Sequence, residues 1–291
     1  MSVLSEAKSQ ARSVKDASSK EDLLEKLAQA GYITKGALYM VVGFLTVRAA
    51  AGLGGEIAGS KDAIEFIAGQ PMGRILLILM AFGLFSYGAW RYAKAYFASI
   101  NGDKKDKAKD TFKKIGYAVS GTSYISLGVF VVLLLAGSSS GSGGGGSSWS
   151  MSSVMQDMMT TSWGPWVVGL IGLGVAAAAF MQFKHAVKPD LKEKIDTTDL
   201  DAKTQKAVTY IYQAGSAARG VVFGIISFYL MRSAYMATST DINSSKDALQ
   251  RIFAMPYGNI LLGIIAVGFF LYGVSCLVKG RYRSVSALDL Q

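Results

Sequence analysis

Two apolar segments each contain a pair of basic residues, and a charged side chain in such a segment needs a partner. Lys35 and Arg48 are 13 residues apart in one segment, and Arg219 and Arg232 have the same spacing in another. On a helix this spacing is about 20 Å, which is shorter than the roughly 30 Å hydrocarbon core of a bilayer. One member of each pair must therefore extend to the membrane surface or face a protected interior. Cations in such an interior could bind an anionic headgroup or an anionic solute.

A simpler interpretation places two of these cations at the membrane interface. Arg48 and Arg232 would then pair with acidic residues of the loops that follow them, Asp62 and Asp247. None of the Asp and Glu residues lies inside an apolar segment. This argues against a proton-driven pump, because intramembrane carboxylates usually form such relays.

Three other groups of residues could bind metals or act as nucleophiles. Thioethers are soft ligands for Cu(I), and four methionines are close together at Met151, Met155, Met158 and Met159. Their spacing fits the apolar face of a short helix better. His185 is the single histidine and Cys276 the single cysteine, and neither has neighbours that would activate it. We predict no catalytic, metal-binding or cofactor-binding residues, no cofactor, and hence no enzyme.

Six apolar segments are long enough to position these side chains across a membrane. The chain has 291 residues, of which 51% are hydrophobic and only 17% charged. A spanning helix needs about 20 mainly apolar residues. Six segments meet this requirement: 32–53, 72–97, 115–136, 164–187, 215–237 and 257–278. The sequence predicts an all-α integral membrane protein with six transmembrane helices.

The distribution of charge predicts the topology. One set of loops and both termini hold 24 of the 30 Lys and Arg residues. An excess of basic residues in short loops marks the cytoplasmic face, so both termini are predicted to be cytoplasmic. The net charge of +10 then follows from this topology and would attract anionic lipids of the cytoplasmic leaflet. It does not indicate nucleic-acid binding. The first 30 residues have no secretory signal pattern.

A threefold internal repeat determines the architecture. Gly31, Gly116 and Gly215 align, and in the same alignment so do Gly36, Gly121 and Gly220. Small residues let membrane helices approach closely, so we interpret these glycines as packing positions. Three like units can surround a pseudo-threefold axis. The aligned aromatic residues, predicted to meet at that axis, are Tyr39, Tyr124 and Phe223.

Each repeat also contains a short amphipathic segment between its two spans. Ser60 and Ser245 are predicted N-caps, and Pro71 and Pro256 end the segments. The repeat unit is therefore a transmembrane helix, a short outer helix and a returning transmembrane helix. The predicted divisions are a disordered N-terminus at 1–20, repeats at 21–98, 99–187 and 188–281, a Gly/Ser linker at 137–150, and a tail at 282–291.

The polar stretches before the first helix of each repeat allow two structures. Ser19 and Asp22 have the spacing of a capping box, and similar patterns precede the other two first helices. Such a stretch can form an amphipathic helix on the membrane surface or an aqueous extension of the spanning helix. The sequence leaves both possibilities open.

The repeated pattern resembles a known family. GYITKGALYMVVGFLTVRAA with QPMGRILLILMAFGLFSYGAWR resembles the domain-of-unknown-function-1206 family of bacterial membrane proteins. The resemblance covers about 28–98, 113–187 and 212–281, although the second copy lacks the proline and both arginines. It implies three tandem two-helix units in a bacterial cytoplasmic membrane, and it implies no activity.

Two functions are compatible with these observations. The first is a scaffold or accessory subunit without enzymatic activity, acting in a larger membrane complex or a homo-oligomer. The alternative is a carrier or channel for a small or anionic solute along the pseudo-threefold axis, lined by Lys35, Arg48, Arg219 and Arg232.

Overall fold

The computed structural model describes residues 2–100, 107–137, 161, 163–189, 201–236 and 245–282. Within these ranges, the side chains of 2–21 and 97–100 and of Phe112 and Ala202, among a few others, are not described. The predictions for the Gly/Ser linker beyond Gly137, the methionine segment and most of the C-terminal tail lie outside the described residues.

The described chain is helical and follows the predicted order of long and short elements. Its helices are α1 (Ser2–Ala50), α2 (Ser60–Ala68), α3 (Gly73–Ile100), α4 (Lys107–Leu135), α5 (Gly164–Val187), α6 (Ala202–Met236), α7 (Ser245–Phe253) and α8 (Gly258–Tyr282). Six of them are long and apolar enough to cross a membrane: α1, α3, α4, α5, α6 and α8. The predicted six-span all-α fold is confirmed.

The first helix of each repeat extends beyond its apolar part. α1 runs without interruption from Ser2 to Ala50, so the backbone is helical where composition predicted a disordered N-terminus. No Gly or Pro occurs before Gly31, and the stretch is rich in Ala, Lys, Glu and Gln, which favour helix. α4 and α6 also continue through their polar starts. Of the two structures left open above, the continuous extension is the one observed.

The three repeats pack with pseudo-threefold symmetry. The first helix of each repeat lies along the second helix of the preceding repeat, which pairs α4 with α3, α6 with α5 and α1 with α8. Glycines let the backbones approach at these interfaces. A Cβ atom at Gly36 would lie 2.8 Å from the carbonyl oxygen of Gly273, and one at Gly121 or Gly220 would lie 3.1 Å from an aromatic carbon of Tyr92 or Phe183. The predicted packing role of this glycine position holds in all three repeats.

The two helices within a repeat also pack together, but only in repeats 1 and 3. α1 contacts α3 and α6 contacts α8, whereas α4 and α5 of repeat 2 make no comparable contact in the described residues. The span-forming parts of α4 and α5 are accordingly the least buried of the six. The pseudo-threefold bundle therefore has one open seam, between α4 and α5.

The short helices α2 and α7 pack on one end of the bundle. α2 buries Ala63, Ile64 and Ile67, and α7 buries the matching residues Ala248, Leu249 and Ile252. The isoleucines and Leu249 belong to one apolar core together with residues of the spanning helices. We refer to this end as the α2/α7 end.

The start of α2 differs from the prediction by one residue. Gly59, not Ser60, is the N-cap, and the Asp62 carboxylate accepts a hydrogen bond of 2.8 Å from the Gly59 N–H. The Asp62 carboxylate, three residues after the N-cap, thus accepts from the N-cap backbone N–H, which has no partner within the helix. Beyond each short helix the chain turns through a left-handed residue, Met72 (φ 66°) or Tyr257 (φ 59°).

An ion pair joins the two short helices. The Lys246 Nζ of α7 lies 2.6 Å from the Asp62 Oδ1 and 3.6 Å from Glu56 Oε2. Partial burial opposes ionisation of Asp62, but hydrogen bonds from Lys246 and the Gly59 N–H outweigh it and lower the pKa of the carboxyl group. Conversely, burial opposes the Lys246 charge, while Asp62 raises the pKa of its ammonium group.

Lys246→Met is expected to reduce stability by about 0.5–1 kcal/mol at neutral pH, as for a partly exposed ion pair. The folded pKa of Asp62 is depressed, so its contribution is complete above its unfolded value of about 4 and is lost as the pH falls through the folded pKa. Unfolding midpoints in detergent should therefore differ at pH 7 and converge below about pH 4. Lys61→Met is the matched control, because Lys61 contacts the Phe130 ring instead. Equal pH dependence in both variants would contradict the assignment.

Candidate functional site

Lys35 lies at the centre of the bundle, surrounded by tyrosines. Its side chain is buried, with 4% of the residue exposed. The Nζ atom lies 5.1–6.0 Å from four ring centroids, contributed by α1, α3, α4 and α8: Tyr39, Tyr87, Tyr124 and Tyr272. Each ring face attracts a cation, and the attraction is stronger where water is excluded. The tyrosine rings thus stabilise the lysine ammonium group, but they carry no negative charge that would balance it.

Tyr87 joins this lysine to a second cation. Its hydroxyl oxygen lies 3.4 Å from the Lys35 Nζ and accepts hydrogen bonds of 2.8 and 3.1 Å from Arg91. The Arg91 guanidinium also lies over the rings of Tyr87 and Tyr117, at 5.1 and 5.5 Å. Arg91 follows Tyr87 by four residues on α3, so both side chains emerge from one helix face. Two cations thus meet at one phenol oxygen.

Arg219 of α6 is the third cation of the cluster. Its Cζ atom lies 4.4 Å from the Tyr272 centroid, 5.3 Å from Tyr39 and 5.1 Å from Phe223. Tyr39 and Tyr272 therefore contact both Arg219 and Lys35. The Arg219 Nε atom is buried and has no hydrogen-bond partner. An unsatisfied buried donor on a charged group is costly, so this position favours an added acceptor.

The cluster lies in the half of the bundle away from the α2/α7 end. Lys35 is 15 residues before the end of α1 at Ala50, a distance of about 22 Å along the helix axis. In a hydrocarbon core of roughly 30 Å that begins at Ala50, about 8 Å separates the cluster from the opposite boundary. Toward the α2/α7 end the bundle centre is packed with buried apolar residues, including Val42, Leu84, Val131 and Leu262. Apolar side chains therefore fill the described bundle centre between the cluster and the α2/α7 end.

The three cations are not balanced by acids. Among the described residues, Lys35, Arg91 and Arg219 form no ion pair. Removing a charge from water costs several kcal/mol even after the protein relaxes, and like charges near one another add to that cost. A buried group of this kind attracts an anion strongly. It offers guanidinium N–H donors, an ammonium group and phenol hydroxyls to the oxygens of a carboxylate, sulfate or phosphate.

Five of the seven candidate residues come together in this cluster. They are Lys35, Tyr39, Tyr124, Arg219 and Phe223. The aligned aromatic rings contact the cations: Tyr39 and Tyr124 lie against Lys35, and Phe223 lies against Arg219.

The other two candidates, Arg48 and Arg232, lie about 20 Å away along their helices. Arg232 is exposed, and neither arginine forms an ion pair among the described residues. The predicted pairing of Arg48 with Asp62 is wrong, because Lys246 of the third repeat occupies that carboxylate.

Three residues of the cluster were not among the predicted site residues. Tyr87 and Tyr272 occupy the same position of repeats 1 and 3, and Arg91 lies one helical turn beyond Tyr87. Their spacing places them on the helix face that carries Gly83 in α3 and Gly268 in α8. A tyrosine followed by an arginine at i+4 within an apolar helix was the available signal.

Cys276, like Tyr212, packs in one apolar cluster with Tyr272. The His185 ring lies 6.2 Å from that of Tyr212, which also contacts Lys279. Cys276 is buried and unbridged. In the described part of the chain, no three His, Cys, Asp or Glu residues are grouped as metal ligands.

Comparison with known proteins places the three-unit pattern in a family. The model of a family described as Domain of Unknown Function (DUF1206) matches residues 30–98, 115–188 and 214–283, which together are most of the chain. The chain belongs to the DUF1206 family. A Bacillus subtilis (strain 168) protein, described as uncharacterized protein YxxB, is 26% identical over 263 residues, 90% of this chain and 92% of the relative. No solved structure matches.

The three DUF1206 units contribute unequally to the cluster. Lys35 of the first unit aligns with Ser120 and Arg219, and Tyr87 aligns with Ala178 and Tyr272. Arg91 aligns with Gln182 of the second unit and Cys276 of the third. The second DUF1206 unit therefore supplies Tyr124 but no cation, and it has a small residue where the others have a tyrosine ring.

Proposed function

We propose that this multi-pass protein binds an anion inside its helix bundle, at the cluster of Lys35, Arg91 and Arg219. The observation that carries the proposal is a buried Lys35 and two half-buried arginines, Arg91 and Arg219, among tyrosines with no acidic partner in the described residues. An anion would offset their mutual repulsion and supply an acceptor for the Arg219 Nε. Such a site costs stability when empty, as binding sites commonly do.

The position of the site favours a carrier or receptor over an open channel. Apolar core residues close the half of the bundle toward the α2/α7 end. The site would therefore communicate with the opposite face. The positive-inside charge distribution favours a cytoplasmic position for that face and for both termini. A water-soluble anion would enter and leave from there unless the bundle changes shape.

This proposal ranks above a scaffold role. A scaffold needs no charge inside the bundle, whereas Lys35 is buried there and Arg91 donates to the tyrosine beside it. A protein that only holds partners together gains nothing from uncompensated cations. A scaffold or an assembly subunit would instead keep Met or Leu at these positions, which pack at no electrostatic cost.

Binding of inorganic phosphate by the purified protein in neutral detergent tests the proposal. Calorimetry at fixed ionic strength should give a saturable heat, and the unfolding midpoint should rise with phosphate because the ligand binds the folded state. Lys35→Met and Arg219→Gln should each weaken binding at least tenfold, the effect of losing a charge-assisted contact of about 1.4 kcal/mol. Arg91→Gln should weaken it likewise.

Arg48→Gln and Arg232→Gln are the matched controls, since each removes one cation that lies about 20 Å from the cluster. They should bind phosphate like the wild type. Equal loss in controls and cluster variants would mean that only net charge matters. Sulfate and acetate, tested in the same way, would define the preferred anion. Absence of saturable binding of all three anions to the wild type would overturn the proposal.

A further inference from the structure

We infer that the anion is the headgroup of a lipid, which enters through the seam between α4 and α5. This inference rests on the proposed anion site and specifies its ligand: an amphiphile with a phosphate or carboxylate headgroup and an acyl chain. The headgroup would lie against Lys35, Arg91 and Arg219, and the chain would lie along the seam. Three observations support it, concerning the seam, its register with the cations and its lining.

The seam occurs at the one position where the repeat does not close on itself. In repeat 1 a Cβ atom at Gly31 would lie 2.5 Å from the Tyr87 Cβ, and in repeat 3 one at Gly215 would lie 2.6 Å from the Tyr272 Cα. The helices of these repeats are therefore in direct backbone contact. At Gly116, the matching residue of repeat 2, no described atom lies within 4 Å of such a Cβ.

A second pair of glycine positions gives the same result one turn further along. Gly83 of α3 faces Thr34, and Gly268 of α8 faces Ala218, within repeats 1 and 3. At Gly174, their counterpart in α5, no described atom lies within 4 Å of an added Cβ atom. Val119 is 61% exposed, whereas the matching Ala218 is 9% exposed. The opening thus runs for about one turn along both helices, from Gly116 to Val119 and from Gly174 to Ala178.

The opening lies at the same level along the bundle axis as the cation cluster. Tyr87 and Tyr272 fill the closed interfaces, and these two rings contact Lys35 and Arg219. Ala178 occupies the equivalent position of α5, so the third ring of the pseudo-threefold set is missing. The missing ring leaves room for a ligand group beside Tyr124, whose centroid is 5.5 Å from the Lys35 Nζ.

The lining of the seam favours an acyl chain beside that headgroup. Its walls are apolar or small and carry no charge: Ile115, Gly116, Val119, Gly174 and Ala178. A solute without an apolar part would gain nothing from these surfaces, whereas each buried methylene contributes about 0.8 kcal/mol. The cluster lies roughly 8 Å inside the hydrocarbon boundary, within reach of a headgroup drawn inward by positive charge.

Ala178→Tyr tests this inference because it restores the residue that closes the other two repeats. Wild type and variant would be reconstituted in nanodiscs of phosphatidylglycerol and phosphatidylcholine, released, and examined by native mass spectrometry for retained lipid. We expect the wild type to retain phosphatidylglycerol and the variant to lose it at least tenfold. Inorganic phosphate, which has no acyl chain to place in the seam, should still bind the variant saturably, because the three cations are unchanged.

Lys35→Met separates this inference from the proposed function. It should lose both phosphatidylglycerol and inorganic phosphate. Undiminished lipid retention in Ala178→Tyr would overturn the seam while leaving the anion site intact. Retention of phosphatidylcholine as readily as phosphatidylglycerol would overturn the headgroup assignment. A wild-type dimer that Ala178→Tyr converts to monomer would identify a second copy of the chain as the occupant and overturn the lipid.

A second measurement avoids dependence on the folding of that variant. Phosphatidylglycerol with a photoactivatable acyl chain should label the wild type on α4 and α5, near Val119 and Gly174. Phosphatidylcholine with the same chain should not label these positions above the level of the other exposed helix faces. Labelling spread evenly over the lipid-facing residues would show a general annulus and overturn the inference.

Discussion

Gly31→Ala is expected to destabilise the protein severely, whereas Gly116→Ala, the same change at the matching position of repeat 2, is expected to be neutral or slightly stabilising. The added methyl group at Gly31 would lie 2.7 Å from the Tyr87 Cα, a backbone atom that cannot move without shifting α3. Overpacking of this kind costs about 1–3 kcal/mol, and more where backbone must move. At Gly116 the methyl group meets open space, and alanine favours helix by roughly 1 kcal/mol over glycine.

Thermal unfolding in detergent and the yield of folded protein would measure this difference. Gly215→Ala should behave like Gly31→Ala, because its methyl group would lie 2.6 Å from the Tyr272 Cα. Repeats 1 and 3 then form one class and repeat 2 another. A Gly116→Ala variant as unstable as Gly31→Ala would show that α4 and α5 close on each other in the membrane, which would also remove the lipid seam.

The sequence predicted the spans and their symmetry well because both leave periodic signals. Apolar segments of about 20 residues report membrane helices directly. Aligned glycines report where helix backbones touch, so Gly36, Gly121 and Gly220 indicated three equivalent interfaces. The repeat also identified Tyr39, Tyr124 and Phe223 as central, since aligned positions in like units lie at like distances from the axis.

The break in symmetry was harder to predict because it depends on a pair of positions in different helices. Gly116 looks like Gly31 and Gly215 in the alignment. Its role differs only because Ala178 has replaced the tyrosine that would pack on it. Nothing in α4 alone reveals this, and the packing partner becomes known only with the structure. The sequence therefore suggested three like units where one is open.

The sequence could not show which predicted site residues lie in the cluster, because that also depends on contacts between helices. Lys35 and Arg48 have equal claims in the sequence, because both are cations in one apolar helix. They differ in which helix faces surround them, and that depends on tertiary packing. Arg91 was not among the predicted site residues. The i, i+4 relation to Tyr87 directs it inward, where its guanidinium donates to the Tyr87 hydroxyl.

Lys35→Met is expected to make the empty protein more stable while abolishing anion binding. Methionine has a similar length and flexibility and fits among aromatic rings. Replacing buried charge by apolar side chains of similar volume can stabilise a protein by about 1–4 kcal/mol. Here the change also removes repulsion from Arg91 and Arg219. Attraction to the four rings opposes this gain, but each contact is worth only about 0.5–2 kcal/mol, and they share one ammonium group.

The comparison must be made with and without anion, because the two roles of Lys35 predict opposite signs. Without phosphate, at low ionic strength, Lys35→Met should unfold at a higher temperature than wild type. Saturating phosphate should raise the wild-type midpoint toward that of the variant and leave the variant unchanged. Arg232→Met, which removes an exposed cation, should change neither value. If Lys35→Met unfolds at a lower temperature in both conditions, the lysine is a structural part of the tyrosine cluster and its charge is fully supported by the rings. The alternative result is that Lys35→Met unfolds at a higher temperature than wild type without phosphate and that phosphate removes this difference. It would mean that the empty anion site lowers the stability of the fold.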